Sequence, residues 1–100
     1  MVQVGILARL KAKAGKEKEV EEFIKGALPL AQAEEGTITW YAIKLSDNEF
    51  GIFDSFNDTS GRDAHMNGEI AKALMANASA LLSEDPTIEY VDILSAKGAE

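Results

Sequence analysis

The segment from Thr37 to Leu45, Thr-Ile-Thr-Trp-Tyr-Ala-Ile-Lys-Leu, carries apolar side chains on both of its faces. Its β-branched and aromatic residues mark it as a strand. Alternation sends Ile38, Trp40 and Ala42 to one side and Tyr41, Ile43 and Leu45 to the other. A sheet wetted on one side would show polar residues at every second position. Any fold for this chain therefore has to cover both faces of the sheet that this strand joins.

The rest of the chain supplies one such cover. Val2, Val4, Ile6, Ala8 and Leu10 alternate with more polar positions up to Lys11, which predicts a first strand. Val20, Phe23, Ile24, Ala27 and Ala31 recur at helical spacing within a helix predicted over 16–34, with Glu17 and Glu19 early, where the helix dipole favours acids. Pro29 removes a ladder hydrogen bond, so a kink or break is expected near Leu28, and Gly36 is the expected C-cap. After the polar turn Ser46 to Glu49, the run Phe50 to Phe56 predicts a third strand, hairpin-paired with the second. Ser60 and Asp63 resemble a capping box, and a helix follows towards Leu82, weak at Asn67-Gly68. Thr87 to Leu94 predicts the last strand.

The order is β-α-β-β-α-β. This predicts an α+β fold of the ferredoxin-like kind, a four-stranded antiparallel sheet with its helices on one face. One domain is expected over 1–97 with a tail over 98–100. The helices leave the other sheet face bare, so a homodimer through sheet faces is the expected second cover.

Composition narrows the function. Acidic residues number 17 against 10 basic, a net charge of −7, and such a surface repels nucleic acid. With no cysteine, the chain has no disulfide, thiolate metal site or cysteine nucleophile. No apolar run is long enough for a membrane helix, and the first nine residues do not read as a secretion signal, so a cytoplasmic location is expected. One histidine alone makes no His-x-x-x-His metal pair, and no glycine-rich phosphate loop occurs, so no cofactor is expected.

Three segments carry a resemblance: Glu35 to Tyr41, Phe50 to Phe56, and Gly61-Arg-Asp-Ala-His-Met-Asn-Gly68. From Val2 to about Lys97 the chain resembles the antibiotic biosynthesis monooxygenase family, whose members are dimeric α/β barrels. The family pattern is an acidic-Gly turn into an aromatic strand, a strand with a carboxylate, then a helix that opens with His. Here Asp54 stands where the strand usually has Glu, and Ile70 where a second His is common. Some members oxidise quinols or phenols with O2 without metal or flavin. The haem-degrading branch uses an Asn and a Trp where this chain has Ala8 and His65. That sets haem oxygenation aside and leaves haem binding open.

The resemblance implies a monooxygenase acting on a small aromatic molecule, with His65 and Asp54 as catalytic residues. Near a helix N-terminus the dipole disfavours a cation, so a neutral His65 is expected, able to take a phenolic proton. The structural alternative is a surface His65 paired with Glu69. Asp54 would support His65, or else pair with Arg9 or Arg62, since a buried carboxylate needs a partner. Trp40 and Phe53 would wall the substrate, Arg62 would hold an oxygen or bridge the dimer, and Met66 and Leu74 would line the pocket or the core. The alternative function is a non-catalytic dimeric module binding a small ligand or haem. A hollow of roughly 300 Å³ beside His65 is what an enzyme would need.

Overall fold

A computed structural model describes residues 1–98. Of the expected tail, residues 99 and 100 lie outside the described residues. The elements are β1 (Val4–Lys11), α1 (Glu17–Gly26), α2 (Leu28–Gln32), β2 (Thr37–Lys44), β3 (Glu49–Phe56), α3 (Thr59–Met66), α4 (Glu69–Leu81) and β4 (Thr87–Asp92). The four strands form one antiparallel sheet in the order β2-β3-β1-β4. This is the expected ferredoxin-like α+β plan.

Each expected helix is two. Pro29 sits in the first turn of α2, where its missing N–H leaves no bond unmade, and Ala27 is the joint. At the second break, α3 ends at Met66 and Gly68 lies in an extended conformation before α4. Two expected caps differ. Asp58 caps α3, accepting from the Gly61 N–H at 3.0 Å, while Ser60 lies inside the helix and its hydroxyl donates to the same Asp58 oxygen at 2.7 Å. Gly36 is not a cap at all: α2 has already ended at Ala33.

The alternation of β1 decides where the core lies. Val4, Ile6, Ala8 and Leu10 are buried, as are Phe50, Ile52 and Phe56 of β3. Against Ala8, Leu10, Phe50 and Ile52 pack Val20 and Ile24 of α1 and Leu74 and Ala78 of α4, while Val4, Ile6 and Phe56 form a second cluster under Met66 of α3. The odd positions point away. Leu7 pairs with Phe53, Phe53 with Tyr41, and the Tyr41 and Phe53 rings stack at 6.5 Å. Tyr41 is 53% exposed there. The centre of the sheet is tight: a Cβ on Gly5 would stand 2.7 Å from the Asp54 carbonyl oxygen. Among the described residues no helix is long and apolar enough to cross a membrane.

Candidate active site

Asp54 lies on the buried face of β3, at 1% exposure. A carboxylate there has lost its water and requires another partner. The partner comes from α3, whose last turn sets the His65 ring over the sheet, tilted against Phe56 at 5.4 Å. The His65 Nε2 lies 3.0 Å from Asp54 Oδ2. Among the described residues neither Asp54 oxygen makes a hydrogen bond, so the approach of Oδ2 to Nε2 is one of opposite charges and Oδ1 has no partner at all.

The other ring nitrogen is also taken. His65 Nδ1 donates to Glu34 Oε1 at 2.6 Å, and the Thr37 hydroxyl donates to the same oxygen at 2.7 Å. Glu34 belongs to the turn between α2 and β2. That turn reaches α3 because Gly36 and Gly61 meet backbone to backbone. A Cβ on Gly36 would lie 3.2 Å from the Gly61 Cα, and one on Gly61 would lie 3.1 Å from the Gly36 carbonyl oxygen.

The result is a carboxylate–imidazole–carboxylate row. Burial works against the imidazolium, yet Asp54 first and Glu34 second outweigh it, and the His65 pKa is pushed up to about 9. Burial raises the Asp54 pKa, with His65 pulling it back down and the Glu34 charge adding to the rise. His65 is thus protonated at neutral pH, donating from Nδ1 to Glu34 and facing Asp54 with its positively charged Nε2–H. This corrects the expected neutral imidazole. His65 is in the last turn of its helix and not the first, so the dipole favours the cation. The reading of His65 as a surface residue paired with Glu69 also fails, since the ring is 7% exposed and Glu69 faces Lys72 at 3.8 Å. With both nitrogens bound to carboxylates, the ring has no lone pair to offer a metal.

Two hollows meet at His65. A cavity of about 70 Å³ lies between the sheet and the α3–α4 layer, with Ile6, Ala8 and Ile52 as floor and Met66, Ile70 and Leu74 above. Asp54 and His65 close its inner end, and the exposed side chains of Met75 and Ile88 stand at its mouth. On the other side of His65 a groove of about 460 Å³ runs past Leu30, Glu34, Glu35, Thr37 and Glu69. The hollow that His65 lines between helices and sheet is therefore smaller than the roughly 300 Å³ expected, because Met66, Ile70 and Leu74 fill much of the layer.

Of the residues singled out in the sequence, the structure brings His65, Asp54, Met66 and Leu74 together. Phe53 is corrected: it faces the opposite side of the sheet, one residue out of phase with Asp54. Trp40 is on the correct face and opposite Asp54 in register, but its ring packs by Ala27, Ala31 and Ile70 and lines a separate groove with Leu28. Arg62 lies over the Tyr90 ring at 4.6 Å, drawn by its π face, and reaches neither hollow. Arg9 is no partner of Asp54, since it binds Glu89 at 2.9 Å. Glu34 was missed. Its one signal was the acidic-Gly turn, read at Glu35-Gly36 and not one residue earlier.

Comparison with known proteins gives the same frame. The chain is 52% identical to the NE2512 protein of unknown function from Nitrosomonas europaea, over 97% of this chain and 94% of that one, with a TM-score of 0.95. It is also similar to Rv0793 from Mycobacterium tuberculosis, at 16% identity, 94% and 97% coverage and a TM-score of 0.83. A "putative antibiotic biosynthesis monooxygenase" from Caulobacter crescentus CB15 matches at 20% identity, 94% and 92% coverage and a TM-score of 0.79. At these last two identities the likeness is one of fold. No protein-family model and no curated protein matches the chain.

Proposed function

The chain belongs to one family with the NE2512 protein of Nitrosomonas europaea, and from the site that its fold builds we propose a cofactor-independent monooxygenase that oxidises a small quinol or phenolic compound with O2. The observation that carries this reading is a buried carboxylate with no hydrogen bond on either oxygen, Asp54, lining an apolar cavity. The fold shared with named antibiotic biosynthesis monooxygenases supports it. Asp54, held beside a protonated imidazole, is the group that meets the substrate, and His65 positions it.

The chemistry needs a base and a dry site. A carboxylate whose pKa burial has raised is a better proton acceptor than a solvated one. A phenol whose para ring carbon bears hydrogen gives its O–H proton to Asp54. The phenolate passes one electron to O2, and the two radicals join in a C–O bond. The peroxide anion takes back the proton that Asp54 holds, and the hydroperoxide then loses water: the O–O bond breaks and the ring C–H proton leaves. One phenol and one O2 become one para-quinone and one water, with no outside reductant. The cavity seats the hydroxyl-bearing edge of the ring, and the rest extends past Met75 and Ile88. The unbranched Met side chains give way at low cost.

Oxygen uptake with a panel of hydroquinones and naphthols tests the reading. Consumption of O2 with quinone formation in metal-free buffer is expected. No uptake with any member, together with tight binding of the same compounds, would favour a non-catalytic binding module. The 460 Å³ groove is the observation that favours that second reading, as a cleft of ordinary ligand size. Haem suits the groove poorly, because Glu34, Glu35 and Glu69 would repel its propionates.

The proposal includes a pair of copies joined through the face that carries Leu7, Tyr41, Ile43 and Phe53. Apolar side chains in that number are costly to leave in water. Sedimentation is expected to give twice the mass of one chain, and Tyr41→Glu to lower it towards a single chain. A wild-type protein that sediments as one chain would remove this part.

A further inference from the structure

The helical layer stops short of β4. Ile6 and Ala8 of β1 are buried, yet Tyr90 and Ile88, opposite them on the same face of the edge strand, are 57% and 37% exposed. Met75 of α4 is 63% exposed. Met75 and Ile88 both line the cavity that holds Asp54, so the apolar shelf of Met75, Ile88 and Tyr90 continues the cavity wall outward. We propose that the shelf carries an apolar chain on the substrate, attached to the ring carbon meta to the phenolic hydroxyl. The inference rests on Asp54 as the acceptor of that hydroxyl and adds what else the substrate bears.

Size places the chain outside the cavity. The cavity measures about 70 Å³, less than half of the roughly 150 Å³ of a dry protein cavity that takes a benzene ring. It therefore seats the hydroxyl and the ring edge beside it, and a chain at either ortho carbon collides with Ile6, Ala8 or Ile52. The para carbon has to keep its hydrogen, because O2 bonds there and that hydrogen leaves. The meta carbon is the position that remains, and it leaves the cavity at Met75 and Ile88. The shelf also has an end. Asp92 follows Tyr90 on the same face and is exposed, and the Arg62 guanidinium lies over the Tyr90 ring at 4.6 Å. Beyond Tyr90 a longer chain meets charge and water and gains nothing.

The test is binding of 3-alkylphenols from methyl to heptyl, measured by calorimetry without O2. Full burial of a methylene tightens binding roughly fourfold, so a shelf that covers one side of the chain should give about twofold per methylene. The gain should level off in the longest members. The 2-isomers should show no gain with length, and 2-propylphenol should bind roughly tenfold or more weaker than 3-propylphenol. In the double variant Met75→Glu with Ile88→Ser the gain per methylene should vanish. Both side chains are exposed, so the variant is expected to fold, and the slope is read within each protein. Leu45→Ser, which removes an exposed apolar side chain beyond the opposite edge strand, should keep the slope. A wild-type series without slope, equal gains in the 2- and 3-isomers, or a slope that survives the double variant overturns the proposal. A series without slope, with the double variant sedimenting at a lower mass than the wild type, gives the shelf to a second copy instead. With O2 present the 4-isomers should bind and consume none, since their chain occupies the reacting carbon; uptake equal to that of the 3-isomers overturns the meta assignment. Uptake with short phenols and a series without slope removes the shelf alone. Chain-dependent binding with no uptake by any member removes the monooxygenase reading alone.

Discussion

Replacing His65 with alanine is expected to lower the unfolding free energy near pH 6.5 by about 3 kcal/mol, the usual cost of removing one member of a buried ion pair. The sign of the accompanying pH dependence follows from the direction of the shift. His65 ordinarily titrates at 6.5 and in the fold at about 9. Its contribution is therefore complete below pH 6.5 and is lost as pH rises through 9. A rise of that size corresponds to about 3 kcal/mol, which agrees with the mutational figure. Asp54 works in the opposite sense. Its raised pKa means that ionisation above 3.8 costs the folded state, and the imidazolium offsets that cost until it deprotonates. Urea unfolding of the wild type should show a falling midpoint from pH 6.5 to 10. The part of the fall that tracks the imidazole should be absent from His65→Ala. A wild-type midpoint that stays level across this range contradicts the protonated row.

Asp54→Asn is expected to cut turnover of any active phenol by about 10²- to 10⁴-fold, the range for loss of a positioned base. The amide has the volume of the carboxylic acid, so the cavity keeps its shape and substrate binding should change little. The loss then appears in kcat, because the proton transfer is made only in the transition state. In the same variant the His65 pKa should drop from about 9, since its foremost stabilising partner is gone. A ¹⁵N titration of the ring reads this directly. Turnover that survives Asp54→Asn but not His65→Ala would return the role of base to the imidazole.

The sheet was legible because alternation is a short-range signal. Val4, Ile6, Ala8 and Leu10 show their buried face in the sequence, and Pro29 and Gly68 mark both helix breaks. The pairing of Asp54 with His65 was one of the alternatives that a buried strand carboxylate left open, beside a backbone hydrogen bond or a pair with Arg9 or Arg62. What failed was anything that depended on where a helix stops. The pattern ran past Asn67-Gly68, so His65 looked like an early residue of a long helix and not the end of a short one. Its charge was misjudged for that reason. Glu34 was invisible for another: it stands 31 residues from His65 and looks like any solvated acid of the first helix. Only the meeting of Gly36 and Gly61 brings it in, and that is a tertiary event. Strand parity was the third gap. The positions of Trp40 and Phe53 could not both be assigned until the helices had chosen a face.

The close approach at Gly5 separates two kinds of change that this protein can accept. With a backbone oxygen 2.7 Å from where any β-carbon would stand, the strands beneath Asp54 have no slack. The rows above it are flexible chains of α3 and α4, Met66, Leu74 and Met75. Substitutions in that roof can thus reshape the hollow by trimming or lengthening side chains, while the sheet that holds Asp54 stays as it was.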